Sequence, residues 1–441
     1  MDCVRTLSFS GFALLVGATS ASCSDDRPGS CHHRVCDVTD PSCVDFVAEV
    51  VACQRDAPLV MPTVRFATRE EVIAEREPRS EEQLALERDY WAGEALVGLM
   101  PQGYEPTDRA ADALSGVLAY YDAYEDEIVM LSDADVEDEA EAYRILVHEF
   151  IHAHQDAEYD LVGLWETYAT TFPRSLGLRA AVEGEAVLYT DLAYLELEGL
   201  PPDDILWNDY FGRWKLAMLE RARLTAVPSL AVTGLFPYAF GGEQVNMAWR
   251  TGGDARVRDY VQSPPDSARQ VFAGFGNRPP MEFNFDTELD PAAVPVLPGH
   301  TYLDGGAQDV WLLNTMFQRI AGRDELWVSE VEQIDADHLS VWRNDETGER
   351  VAVWRLMGPS DVIQAALTGP FSQWVEAADA ATAHHMVAVD GDWVLVASES
   401  PNAAELAQSI TAWQSRADAL ASVEHRRAPP QRRLTLPLRR Q

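Results

Sequence analysis

The chain has 441 residues, 47% of them hydrophobic, enough to bury one large core or two moderate ones. Its formal net charge of −38 argues against nucleic acid as a partner, because phosphates would be repelled. Beyond the first residues, no stretch is apolar over the roughly 20 positions that a membrane-crossing helix needs.

Residues 1–23 read as an export signal. Arg5 precedes a short apolar run, Leu7 to Val16, then small residues from Ala18 to Ser22, then Cys23. Small residues before a cysteine predict a lipoprotein, with membrane attachment through lipid on Cys23. Ordinary secretion with cleavage near Ser22 is the alternative. Of six cysteines, Cys3 is lost with the signal and Cys23 takes the lipid. Cys31, Cys36, Cys43 and Cys53 remain, an even set that suits two disulfides in an oxidising compartment. A zinc knuckle of Cys31, His32, His33 and Cys36 is the competing use. Residues 24–60 are read as a polar segment that spaces the body from the membrane. No cysteine follows Cys53, so a thiol nucleophile is excluded from the body.

Pro62 to Phe66 is a predicted strand, and Arg69 to Leu99 a charged helix. Leu114 to Asp122 and Ile128 to Leu131 read as a strand pair around the turn Tyr124-Glu125-Asp126-Glu127. A helix follows. Glu137, Asp138, Glu139 and Glu141 suit its first turn and no Pro or Gly interrupts residues 134–162. It carries Leu146-Val147-His148-Glu149-Phe150-Ile151-His152-Ala153-His154-Gln155-Asp156, which contains His-Glu-x-x-His. On a helix, His148 and His152 project from one face, one turn apart, and can grip one zinc ion. Glu149 is the candidate general base, placed to take a proton from water. Ile145, Leu146, Phe150 and Ile151 make the helix apolar, and buried imidazoles need partners. Asp156, four residues after His152, is the candidate to orient that ring, with Asp191 the weaker one. His154 points to the other side and is read as a partly exposed histidine.

Trp165 to Thr171 reads as a helix ended by Pro173. Arg179 to Glu198 is a second long helix, with Glu183 in its first turns on the apolar face. A hydrolytic zinc site takes three protein ligands, and Glu183 is the candidate third, with Glu185 its rival. Gly184 would let helices approach closely. Ile205 to Arg223 carries Trp207, Tyr210, Phe211 and Trp214 at core spacing. Tyr238, in Phe236-Pro237-Tyr238, is a candidate to stabilise an oxyanion.

These segments together resemble a group of exported, largely uncharacterised bacterial metallopeptidases and lipoproteins of the gluzincin type. The resemblance rests on Tyr120-Tyr121-Asp122, His148 to Asp156, the Glu-Gly-x-Ala of Glu183 to Ala186, Phe236 to Gly241, and Pro264-Pro265-Asp266-Ser267. It covers roughly residues 60–275. It departs at His154, where an apolar residue is expected, and at Ala268-Arg269, where Thr-Glu is expected. It implies that Glu183 completes the metal site, that a small sheet flanks the metal helix, and that the fold is zincin-like. It implies no substrate.

A domain boundary is expected in the proline-rich stretch from Pro279 to Pro298. After it, Gln308 to Ile320 reads as helix. His338 to Arg343 and Arg350 to Arg355 read as a hairpin around Gly348. Val362 to Leu367 and Phe371 to Ala381 read as helices. His385 to Val389 and Trp393 to Ser398 form a second hairpin, and Ala403 to Val423 a last helix. His384 and His385 are read as strand or surface residues. The arginine-rich tail, 425–441, is read as disordered.

The expectation is an α+β, predominantly helical protein. A zincin-like metallopeptidase domain over 61–285 precedes a smaller α+β region over 286–424. Its expected activity is hydrolysis of peptide or protein substrates, with Zn2+ held by His148, His152 and Glu183, and Glu149 and Tyr238 acting in catalysis. The alternatives are a non-enzymatic surface lipoprotein with a structural zinc and a zinc hydrolase of non-peptide amide bonds.

Overall fold

The computed structural model describes residues 31–75, 79–105, 114, 116–225, 227–272, 297–309, 311–315, 331, 334, 336–357, 383–389 and 392–414, with strand residues 9–10 and 13–14. Most of the signal segment, with Cys23, lies outside the described residues. So do most of the 279–298 boundary, the helices expected at 362–367 and 371–381, and the tail.

The described helices are α1 (Pro41–Arg55), α2 (Arg69–Ala74), α3 (Glu81–Leu96), α4 (Glu139–Tyr159), α5 (Leu161–Tyr168), α6 (Phe172–Leu197), α7 (Trp207–Leu224), α8 (Pro228–Phe236), α9 (Gly242–Gln262), α10 (Ala268–Phe272) and α11 (Ala403–Gln414). The strands are β1 (Phe9–Ser10), β2 (Ala13–Leu14), β3 (Thr63–Ala67), β4 (Ala119–Asp122), β5 (Glu127–Leu131), β6 (His300–Gly306), β7 (Ala336–Asn344), β8 (Arg350–Met357), β9 (Ala383–Val389) and β10 (Asp392–Ser398). The protein is α+β and mostly helical. No described helix is long and apolar enough to cross a membrane.

The chain forms two compact units, divided inside α6 between Glu185 and Ala186. The first unit takes in residues 1–72, 117–161 and 186–205. Its sheet has the order β3-β5-β4, with β3 parallel and β4 antiparallel to β5. The expected turn before β5 is present, and Asp126 supplies its left-handed residue with φ of 50°. α4 starts where the sequence places acids: the Asp138 carboxylate accepts from the backbone N–H groups of Ala140 and Glu141, both at 2.9 Å. It ends at Asp160, in the left-handed region.

The cysteine segment does not act as a spacer. Asp40 caps α1, and Val47, Ala48 and Val51 of that helix are buried in the first unit. The disulfides are Cys31–Cys53 and Cys36–Cys43, so the zinc-knuckle reading fails because both of its thiols are oxidised.

The second unit takes in residues 73–116, 162–185 and 206–441. Its sheet has the order β6-β7-β8-β10-β9, all antiparallel, and both expected hairpins are in it. One core cluster joins Leu176 and Ala180 of α6 to Phe236, Phe240, Trp311 and Trp354. Residues 311–315 are helical, within the expected helix. Trp207 and Phe211 are buried core residues, as their spacing predicts.

Three helix boundaries differ from expectation. The helix foreseen over Arg69 to Leu99 is two helices, because Ser80 and Gln83 form a capping box that starts α3 afresh. Pro173 does not end a helix: α5 stops at Tyr168, and Pro173 sits in the first turn of α6, where its missing N–H leaves nothing unpaired. α6 therefore begins seven residues before Arg179, and Glu183 lies in mid-helix. Gly177 permits that extension, since a Cβ there would lie 1.8 Å from the Pro265 carbonyl oxygen.

Candidate metal centre

His148 and His152 both lie on α4, their ring centroids 4.8 Å apart and their planes at 85°. The helix that carries them is packed on several sides: Leu146, Val147, Phe150 and Ile151 are fully buried, His152 is 9% exposed, and His148 is half-buried. α6 runs alongside, with Thr190 Oγ1 at 3.3 Å from His148 Nδ1. Glu183 is seven residues before Thr190, two turns earlier on the same face of α6. One ligand atom from each of His148, His152 and Glu183 lies within 4.8 Å of the others, the group among the described residues that could hold a metal ion.

The donor set is two imidazoles and one carboxylate, the number and type that hydrolytic zinc uses while keeping a position for water. A second observation fits a metal. His152 Nδ1 is 2.7 Å from Gln155 Oε1, and His148 Nδ1 meets Thr190. A partner on Nδ1 restrains each ring's rotation and leaves Nε2 as the nitrogen that could serve a metal. Glu149, 6% exposed, follows His148 directly.

Gln155 and Thr190 were not foreseen. Gln155 is three residues after His152, within reach on the helix surface, yet attention falls on carboxylates as orienting groups. The expected partner, Asp156, is engaged elsewhere. It accepts from the Tyr121 hydroxyl at 3.0 Å and the Leu161 N–H at 2.9 Å, tying β4 to the end of α4. Burial pushes its carboxyl upward from the usual range. Asp191 is buried beside Thr190. His154 is a correction: it is 3% exposed rather than partly exposed. Burial and the neighbouring Arg55 push its pKa down to about 4. Glu185 is fully buried and outside the ligand group.

Gly184 allows a close approach to a segment other than α4. A Cβ on it would lie 2.5 Å from the carbonyl carbon and oxygen of Gly241. Gly241 ends a π-helical turn, Pro237–Gly241, that also carries the partly buried Tyr238. π-helical turns recur at functional sites, and this one packs on α6 beside Glu183. His384 and His385 lie on β9, as expected, and His384 Nε2 pairs with the Leu96 carbonyl oxygen at 2.7 Å.

No family model matches the chain, and no curated protein or solved structure matches it.

Proposed function

We propose that the protein is an exported, zinc-dependent metallopeptidase of gluzincin type. The observation that carries this reading is the convergence of His148, His152 and Glu183, with an orienting partner on Nδ1 of each ring. A bound zinc ion would polarise a peptide carbonyl and make water a better nucleophile near neutral pH. The chain's own residues supply the rest. Glu149 takes the proton of the attacking water and delivers it to the leaving amine nitrogen as the C–N bond breaks. The apolar residues around α4 keep bulk water from the reacting atoms, which strengthens each polar contact there. Tyr238 donates to the oxygen that gains negative charge, from the turn that packs on α6. Two disulfides support export. Lipid on Cys23 is the proposed anchor, and peptides or proteins of the cell exterior are the proposed substrates.

The test is metal analysis of the purified chain beside His148→Ala and Glu183→Ala. About one zinc per chain, lost in both variants, is expected. Glu149→Gln is expected to keep the metal and lose peptide hydrolysis. Unchanged hydrolysis in that variant would overturn the mechanism. Metal retained with no hydrolysis by the wild type would shift the reading to a structural zinc.

A further inference from the structure

The two helices that bring His148 and Thr190 together are both gripped by the short disulfide-bonded segment at residues 31–56. Five contacts do this, all within the first unit. On the α4 side, His33 is 8% exposed, and its Nδ1 lies 2.8 Å from the hydroxyl of fully buried Tyr143, five residues before His148. Arg55, 1% exposed, donates to Glu158 at 2.9 Å, near the other end of α4. On the α6 side, the His32 backbone N–H donates to Glu196 at 2.6 Å, and Gln54 Nε2 donates to the Tyr189 carbonyl oxygen at 3.0 Å. The Arg55 guanidinium also covers the Tyr189 ring, 4.9 Å from its centroid.

The covalent links make these contacts one device. Cys31 is next to His32, and Cys53 is next to Gln54 and two residues from Arg55. The Cys31–Cys53 bond therefore joins the irregular half that holds Tyr143 and Glu196 to the helical half that holds Glu158 and Tyr189. Cys36–Cys43 closes the loop between them over seven residues. Without the bonds, residues 31–36 would have little apolar surface with which to stay in place. Of those six, Cys31, Val35 and Cys36 are the apolar ones, and Val35 is 41% exposed.

We propose that this segment is a covalent clamp that holds α4 against residues 186–197 of α6 and so keeps the metal-ligand candidate His148 beside Thr190. His33, Gln54 and Arg55 are its positioning residues. The inference rests on the metal-site reading for its functional meaning, and its structural content is independent of it.

The experiment compares the full chain, purified oxidised, with Cys31→Ser/Cys53→Ser and with Arg55→Met. Zinc affinity is read by competition with a chromophoric chelator, and amide hydrogen exchange is followed over α4 and over residues 186–197. Both variants are expected to bind zinc at least about tenfold more weakly, in the range seen when outer-sphere support of a metal site is lost. Exchange in both helices is expected to quicken. Wild-type affinity together with wild-type exchange protection would overturn the clamp. If the serine variant does not fold, Arg55→Met keeps both disulfides and carries the test. If the wild type binds no zinc, the metal reading fails, and exchange alone decides the clamp: faster exchange supports it and unchanged exchange overturns it.

Discussion

Nδ1 of His152 lies 2.7 Å from Oε1 of Gln155, and the Gln155 side chain is fully buried. The amide oxygen can only accept, so this bond places the imidazole proton on Nδ1 and leaves the lone pair that a metal would need on Nε2. A neutral partner adds no buried charge beside the site. Gln155→Ala is expected to weaken zinc binding by about 10- to 100-fold and to lower stability by about 1–3 kcal/mol, from the stranded ring N–H. Gln155→Glu keeps an acceptor and should lose less affinity. Competition against a chelator measures both, and tight binding by the alanine variant would refute the orienting role. Thr190→Val should have the smaller effect, since its contact with His148 is longer, at 3.3 Å.

How much of this site was legible follows from range along the chain. His148, Glu149 and His152 are fixed by local spacing, because a helix puts residues four apart on one face. Glu183 lies on a second helix, where local spacing gives no distance to the histidines; the three together form a group that could hold a metal ion. Gln155 is within reach of the same local rule, but charge favours Asp156 as the orienting group when only the sequence is considered. Asp156 instead answers to Tyr121, a partner 35 residues away that no helical period reveals. His154 shows the same limit. Lying two positions from His152 puts it on another side of α4, and only the fold shows that Arg55 of α1 neighbours it there. Strands and hairpins were legible from alternation and turns, whereas Pro173 was misread because proline both ends helices and starts them.

Gly184 tests the packing behind Glu183. Replacing glycine by alanine in mid-helix ordinarily gains about 1 kcal/mol. Here the added Cβ would meet Gly241 backbone at 2.5 Å and Val245 Cγ2 at 2.8 Å. Backbone on a buried turn cannot yield cheaply, so overpacking outweighs the propensity gain. Gly184→Ala is expected to destabilise the protein by about 1–3 kcal/mol net. Urea unfolding measures this, and a midpoint equal to or above that of the wild type would show that the turn moves freely.

Asp89 anchors α3 to the hairpin of β7 and β8. Its carboxylate, on a residue 6% exposed, meets Arg343 at 2.9 Å and Arg350 at 3.0 Å. The arginines are the exposed partners, with 45% and 30% of their side chains open to solvent, so the charge that suffers on separation is that of Asp89. Asp89→Asn is expected to lose about 1–3 kcal/mol, below the figure for a fully buried pair because solvent screens both arginines. Arg343→Met should lose less, since Arg350 still pairs with Asp89. Denaturation of the two variants ranks them, and the opposite order would contradict this account.

Acid sensitivity should be set in part by two adjacent residues that act in opposite directions. His338, on β7 opposite Arg355, has its pKa pushed down to about 4 by burial and by that arginine. The native state then holds fewer protons than the unfolded chain between pH about 6.5 and 4. This contribution to stability is complete above pH 6.5 and is lost as the pH falls toward 4, by about 1–3 kcal/mol. Asp337 is fully buried, and burial pushes its carboxyl up to about 6 against the donors of Gln308, Asp309 and Trp354. Here the native state holds more protons than the unfolded chain, so stability rises as the pH falls from 6 toward 4. The pair therefore offset each other over that range. His338→Leu removes one side of the balance and replaces a ring whose Nε2 is buried without a hydrogen-bond partner. The variant is expected to lose less stability than the wild type between pH 7 and pH 4, by about 1–3 kcal/mol. Unfolding free energies measured at intervals across that range test it, and parallel curves for the two proteins would mean that His338 titrates normally in the folded state.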